Sequence, residues 1–332
     1  MASPVSTMAS PEIEAQESLS ATWPRLAALL FYGYFTYMTI EVFLFPLHLR
    51  ERATVLMLNL LICATLFTLE RNAPSLRSRF LTVVGDWLPC ILILVAYREA
   101  GLLFVPDPSH RLDHVFVRWD ERILRNSGVT SVLAAGFPWL QRYLEFAYFL
   151  CYPVMPLGVA TLYVTRQKNR ARTEGTATPV AARGYDSPLE HYWTAVLIAA
   201  LTCYVLFPLF PLTPPRELFH DLPGPQGASG LRGLNHWLLS HYAVGASLFP
   251  SGHVAAATAA GLAIRRYAPR AGLVFLLVAA SIALATVYGR YHYAADAAAG
   301  AVVGLTAYRV SSLKGEAGSR GFLRIRRRRE DA

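Results

Sequence analysis

The sequence predicts an all-α polytopic bundle embedded in a membrane, with about eight transmembrane spans. Composition is the first observation: 54% of the 332 residues are hydrophobic and 16% are charged, and the mean hydropathy is +0.34. The second is a series of apolar runs, several close to the roughly 20 residues that a helix needs to cross hydrocarbon. The third is the uneven distribution of Lys and Arg between those runs.

In chain order, residues 1–25 carry Glu12, Glu14 and Glu17 and no basic residue before Arg25. That is the wrong charge for a secretory signal, so a disordered cytosolic tail is expected. Four apolar runs follow within residues 26–165: Leu26–Leu47, Ala53–Leu69, Phe80–Tyr97 and Tyr143–Thr165. Between the third and fourth lies an external interfacial segment, residues 98–142, with Leu112, Val115, Phe116, Trp119 and Ile123 at helical spacing. Its charged positions suit either a helix lying flat in the interface or a cap packed over the bundle. Residues 166–190 form a flexible basic cytosolic loop. Residues 191–310 hold four more runs, Tyr192–Phe210, Ser251–Ile264, Ala271–Tyr288 and Ala294–Val310. The run from Ser251 is short for a bilayer, so its first turn is expected in protein or water. Residues 311–332 are a basic cytosolic tail that suits anionic headgroups, and no nucleic-acid partner is expected.

With these spans, 20 of the 31 Lys and Arg fall on the face of the two termini and 11 on the other. The positive-inside rule puts both termini in the cytosol. Cys63, Cys90, Cys151 and Cys203 all fall within apolar runs and show no metal-site spacing. Glu41 and Asp86, inside predicted spans, are expected to have buried partners. The Ala- and Arg-rich composition points to a bacterial plasma membrane.

Three polar blocks share the extracytoplasmic face under this topology. Phe249-Pro250-Ser251-Gly252-His253 places a proline and two small residues at a helix start, where backbone amides can approach an anion and hold His253 at the first turn. Gly289-Arg290-Tyr291-His292-Tyr293-Ala294-Ala295-Asp296 sets His292 and Asp296 four apart, on one face of a helix beginning near Tyr291. An extended backbone over 290–292 would put Arg290 and His292 on one side. Phe210-Pro211-Leu212-Thr213-Pro214-Pro215-Arg216 stiffens the exit from the fifth span and sets the height of Arg216. Two guanidiniums, two imidazoles and a carboxylate are what phosphoryl transfer through a histidine nucleophile needs. Tyr291 and Tyr293 read as interfacial aromatics. His236 and His241 lie close enough in sequence to touch a headgroup, whereas His48, His110, His114, His191 and His220 read as hydrogen-bonded boundary residues.

Together, Pro-Pro-Arg, Pro-Ser-Gly-His and Gly-Arg-Tyr-His-Tyr-x-x-Asp resemble the type 2 phosphatidic acid phosphatase (PAP2) superfamily, and in particular its inositolphosphotransferase or inositol phosphorylceramide synthase-like branch. The resemblance covers roughly Tyr192 to Tyr308. It implies a six-helix membrane core with the site at the membrane surface, His292 as nucleophile, His253 as general acid, Asp296 as orienter, and a phosphate held by Arg216, Arg290, Ser251 and Gly252. It implies no metal or cofactor, and a lipid phosphate as substrate. The better-known phosphatase pattern has a lysine seven residues before the first arginine, a proline after it, and five residues between the last arginine and histidine. Here Leu209, Glu217 and the single residue Tyr291 stand instead, as in the synthase-like branch, while Gly252 belongs to the phosphatase form. Hydrolysis and transfer to a lipid alcohol therefore both remain open. A transporter that binds the headgroup without breaking it is a third reading; a non-catalytic scaffold is disfavoured by the intact His253, Arg290, His292 and Asp296.

Overall fold

The computed structural model describes residues 25–72, 79–103, 112–125, 137–173, 188–210, 212–219, 230–246 and 249–330. The described residues are helical, with no β-strand among them. In chain order the helices are α1 (Arg25–Leu44), α2 (Leu49–Asn72), α3 (Arg79–Leu102), α4 (Asp113–Asp120), α5 (Pro138–Phe149), α6 (Val154–Thr173), α7 (Pro188–Leu206), α8 (Pro215–Leu218), α9 (Gly230–Tyr242), α10 (Gly252–Tyr267), α11 (Pro269–Tyr288) and α12 (Ala294–Glu330). Proline opens α5, α8 and α11 in the first turn, where its missing N–H costs no helical bond.

Among the described residues, four segments are long and apolar enough to cross a membrane: Leu26–Leu44, Leu49–Arg71, Pro188–Leu209 and Pro269–Tyr288. A fifth exists if α5 and α6 count together, although they meet at 75°. The sequence reads Tyr143–Thr165 as one span, and the structure breaks it. Pro153 lacks the amide that would continue the ladder and disfavours helical geometry at the residue before it. The helix α12 carries on through the basic tail to Glu330. The expected disordered residues 1–24, and most of the basic loop after Thr173, lie outside the described residues.

The helix α7 runs through the core with Tyr192, Trp193, Val196, Leu197 and Cys203 buried, and it packs against α1, α3, α10 and α12. Its Trp193 Nε1 donates to the carbonyl of Asp86 at 2.9 Å, and the Asp86 carboxylate accepts the Tyr163 hydroxyl. This meets the expectation of a partner for that ionisable residue. Ile40, Phe43, Met57, Leu60, Leu277 and Leu284 point outward from α1, α2 and α11, as suits a hydrocarbon surround.

The short run from Ser251 becomes α10, enclosed by α6, α7, α11 and α12. Its alanines and glycine are nearly all buried, because small side chains let backbones approach closely. Gly300 and Gly304 do the same from α12. A Cβ on Gly300 would stand 2.5 Å from the Ser251 carbonyl oxygen, and one on Gly304 2.5 Å from that of Ala255. Gly300→Ala is therefore expected to push α12 off α10 and lower stability by about 1–3 kcal/mol, as overpacking does. A melting midpoint unchanged from wild type would show that the two helices part without cost.

Candidate active site

The three polar blocks converge at one end of α10. Ser251 is its N-cap, with φ −62° and ψ 110° and no side-chain cap bond. The first helical bond runs from Ala255 N to Ser251 O at 3.0 Å, so the amides of Gly252, His253 and Val254 lie in the uncapped turn that attracts anions. Ser251 N is engaged elsewhere, donating to the Asp296 carbonyl at 3.1 Å. Ser251 Oγ is buried and meets no hydrogen-bond partner among the described residues.

The second histidine sits on a tight turn at the end of α11. Arg290 adopts φ 59°, the left-handed region that a non-glycine residue enters at a cost. The turn is held by Tyr291 N and His292 N, which both donate to the Thr286 carbonyl, at 2.8 and 3.1 Å. An extended backbone over 290–292 is thus not what forms. The turn instead aims the Arg290 carbonyl at Arg216, whose amide donates to it at 2.9 Å. The two arginines are joined through main chain, and Arg290 Nη1 also donates to the Phe219 carbonyl at 3.2 Å. Arg216 Nη2 pairs with Glu217 Oε1 at 3.1 Å, with Glu217 half exposed.

His292 and Asp296 meet, but not on one helical face, since α12 begins at Ala294 and His292 lies in the turn before it. His292 Nδ1 lies 3.3 Å from Asp296 Oδ2, and the same oxygen accepts Tyr293 N at 3.1 Å. Asp296 is fully buried and His292 nearly so. The imidazole of His253 lies 5.9 Å from that of His292, centre to centre, with the planes at 65°. Tyr148 and Tyr152 flank His253, each at 6.2 Å. Tyr148 lies in the last turn of α5 and Tyr152 in the break before α6, so the bend that the apolar pattern conceals builds one wall of the site.

Tyr291 and Tyr293 are buried, contrary to an interfacial role. Tyr291 stacks on Tyr148 at 3.8 Å and donates to Glu145 Oε2 at 3.1 Å; burial and then the Glu145 charge push its phenol well up. Tyr293 donates to the Thr213 carbonyl at 3.1 Å and packs on Phe116 at 5.5 Å. That contact decides between the two readings of the external segment. Phe116 is buried against Leu212, Tyr293 and Phe249, so α4 caps the bundle. Asp113 accepts both the amide and the hydroxyl of Thr213 at 2.7 Å, and Asp120 Oδ1 accepts Ala294 N, the first residue of α12, at 3.0 Å.

Burial raises the Asp120 carboxyl to about 7; the Ala294 hydrogen bond opposes the shift, and the nearby Asp296 charge adds to it. Between about pH 4 and 7 the folded protein therefore keeps a proton that the unfolded chain has lost, and stability falls as pH rises through that window. Asp120→Asn retains an acceptor for Ala294 and cannot ionise. It is expected to flatten the decline when melting midpoints are compared from pH 5 to 8; identical slopes in variant and wild type would refute the assignment.

His236 lies on α9 and lines a cavity of about 320 Å³ with Arg216, Glu217, Leu239 and Ser240, which places it near the first block. Burial and then Arg232 lower its pKa. His241 is turned to the Trp237 carbonyl, 2.8 Å from Nδ1. His191 is buried against Ser311 and Ser312, midway along α12. His110 and His220 are outside the described residues.

Sequence reasoning passed over Glu145, Arg232 and Asn235. Glu145 is 3% exposed, and its Oε1 meets Arg232 Nη1 at 2.6 Å while Oε2 accepts Asn235 Nδ2 at 2.8 Å. A carboxylate inside an apolar run is itself the signal, since such a group needs a partner. The same test singled out Glu41 and Asp86.

Several apolar helices thus surround a cluster of two histidines and two arginines, as suits an integral membrane protein. The sequence matches the profile of the PAP2 superfamily across residues 114–310, more than half of the chain, and the protein belongs to that superfamily. The match starts at α4 and takes in the broken α5–α6 pair, well upstream of the three blocks. No curated protein and no solved structure matches the chain.

Proposed function

We propose that this protein is a membrane-embedded phosphatase or phosphotransferase that acts on a lipid-linked phosphate through His292 at the extracytoplasmic face. Superfamily membership supports phosphatase-type chemistry on a lipid phosphate. The observation that carries the finer reading is the His253–His292 pair, 5.9 Å apart, beside an uncapped helix start and two arginines tied through their backbones.

With its Nδ1 proton donated to Asp296, His292 has an Nε2 lone pair to attack phosphorus. The bond from phosphorus to the leaving oxygen breaks as the bond to Nε2 forms, and His253 supplies the proton that the departing alcohol takes. Water then attacks the phosphohistidine, giving its proton to His253. The P–N bond breaks, phosphate leaves and His292 is restored. Arg216, Arg290, Ser251 Oγ and the Gly252 amide bind the equatorial oxygens, where electrostatic stabilisation acts most strongly. Ser251 contributes its hydroxyl rather than its amide in this scheme, because the amide serves Asp296. No metal or cofactor takes part, and the eight-span topology with cytosolic termini and a six-helix core belongs to the same proposal.

A second reading is transfer of an inositolphosphoryl-type headgroup onto a lipid alcohol, in which the alcohol replaces water in the second step. The single residue between Arg290 and His292 favours it. The test is phosphate release from a panel of lipid phosphates by detergent-purified protein, with and without chelator, using His292→Ala as the blank. Chelator-resistant release that disappears in the variant is expected. Silence across the panel, followed by product formation when an alcohol acceptor is added, would replace hydrolysis by transfer. Lipid flipping unaffected by His292→Ala would instead support a transporter.

A further inference from the structure

We propose that Arg232 is a third phosphate-binding arginine of this site, held in position by Glu145. The proposal rests on the catalytic reading above and adds a residue from α9, which lies between the first two polar blocks and belongs to none of the three.

The geometry is a relay of short contacts. Glu145, on α5, binds Arg232 through Oε1 at 2.6 Å. Its Oε2 binds both Asn235, at 2.8 Å, and Tyr291, at 3.1 Å. Tyr291 is the residue between Arg290 and His292, so the Glu145 carboxylate and the Tyr291 side chain link the Arg232 guanidinium to the turn that carries both. Asn235 lies three residues after Arg232 on the same helical face; it is fully buried and also donates to the Glu145 carbonyl at 2.9 Å. The helix is thereby pinned, and Arg232 has little freedom to swing away.

Electrostatics point the same way. Burial and then the charge of Arg232 pull the Arg290 guanidinium below its usual range. Two guanidiniums that feel one another favour an anion nearby, and a phosphate is the anion that suits guanidinium forks. A buried ion pair is a poor stabilising device, because desolvation offsets most of its attraction; a charge kept there at 18% side-chain exposure is better explained by a ligand. Leu209, where the phosphatase pattern has lysine, supplies no cation and is 65% exposed. Arg232 restores the missing positive charge from another part of the chain.

The test uses the full-length protein in detergent and inorganic orthophosphate as the probe. Its Kd is measured by calorimetry and its inhibition constant by phosphate release. Arg232→Gln is expected to weaken both at least tenfold. It also leaves Glu145 without its counter-ion, so the deciding variant is Arg232→Gln combined with Glu145→Gln, which removes the buried charge but keeps an acceptor for Tyr291. If Arg232 binds phosphate, the double variant stays at least tenfold weak. Recovery to within threefold of wild type would make Arg232 a counter-ion only and overturn the proposal, as would an unaltered Arg232→Gln. Should the glutamine variants not fold, Arg232→Lys keeps the charge and loses the fork: a threefold or greater weakening is expected, and unchanged constants overturn the proposal. Wild-type protein that binds orthophosphate yet turns over no lipid phosphate or transfer substrate would sink the catalytic reading, with Arg232 judged on Kd alone. Wild type that binds no orthophosphate would overturn the proposal.

Discussion

His292→Ala is expected to reduce turnover to background, a loss of roughly 10⁵–10⁶-fold, comparable with removal of the nucleophile in other covalent mechanisms. The imidazole is nearly buried, with its Nδ1 directed to Asp296, and no other described nucleophile occupies that place. The fold should survive, because the turn is held by main-chain bonds to Thr286 rather than by the ring. Measuring the melting midpoint beside the rate separates the two effects. Rapid quenching with a labelled substrate should trap phosphate on wild type and none on the variant. Phosphate trapped equally on both would place the nucleophile elsewhere.

Asp296→Asn is expected to cost about a thousandfold in kcat, or ~4 kcal/mol of transition-state stabilisation. The change is nearly isosteric, so packing around this fully buried residue is kept. The difference lies in hydrogen bonding: Oδ2 accepts from both Tyr293 N and the His292 ring. An amide presents one acceptor and one donor. If the amide oxygen takes the place of Oδ2, both bonds survive and only the charge is lost; if the NH₂ takes it, it opposes Tyr293 N–H and favours the tautomer whose lone pair is on Nδ1. In the second case the nucleophilic nitrogen is the one protonated, and in both the carboxylate that stabilised the imidazolium is lost. A rate within tenfold of wild type would remove Asp296 from the orienting role.

Much of this site was legible because it is local. His292 and Asp296 stand only four residues apart and so stay within reach although α12 begins between them, and Pro-Ser-Gly-His marks a helix start whatever surrounds it. Arg216 reached the same place through proline-stiffened chain. The errors have local causes as well. The run Tyr143–Thr165 is apolar on both sides of Pro153, so hydropathy alone does not register a 75° bend. The 290–292 turn follows from two amides sharing the Thr286 carbonyl, a bond that spacing within the block does not reveal. The Pro-Ser-Gly-His block places Ser251 among the phosphate contacts without showing that its amide is committed to the Asp296 carbonyl, a bond to another block.

What the sequence determined by itself is the membrane class, the order of the three blocks and the residue types within them, since hydropathy and helical period are properties of short stretches. Tertiary structure decided which distant groups meet. Asp120 caps a helix 174 residues away, α4 packs as a lid over Tyr293, and Glu145 takes Arg232 across 87 residues. The physical reason is that a buried charge or amide must find a partner, and many polar residues along the chain would satisfy it equally well. The packing of α5, α9 and α10 selects which one does.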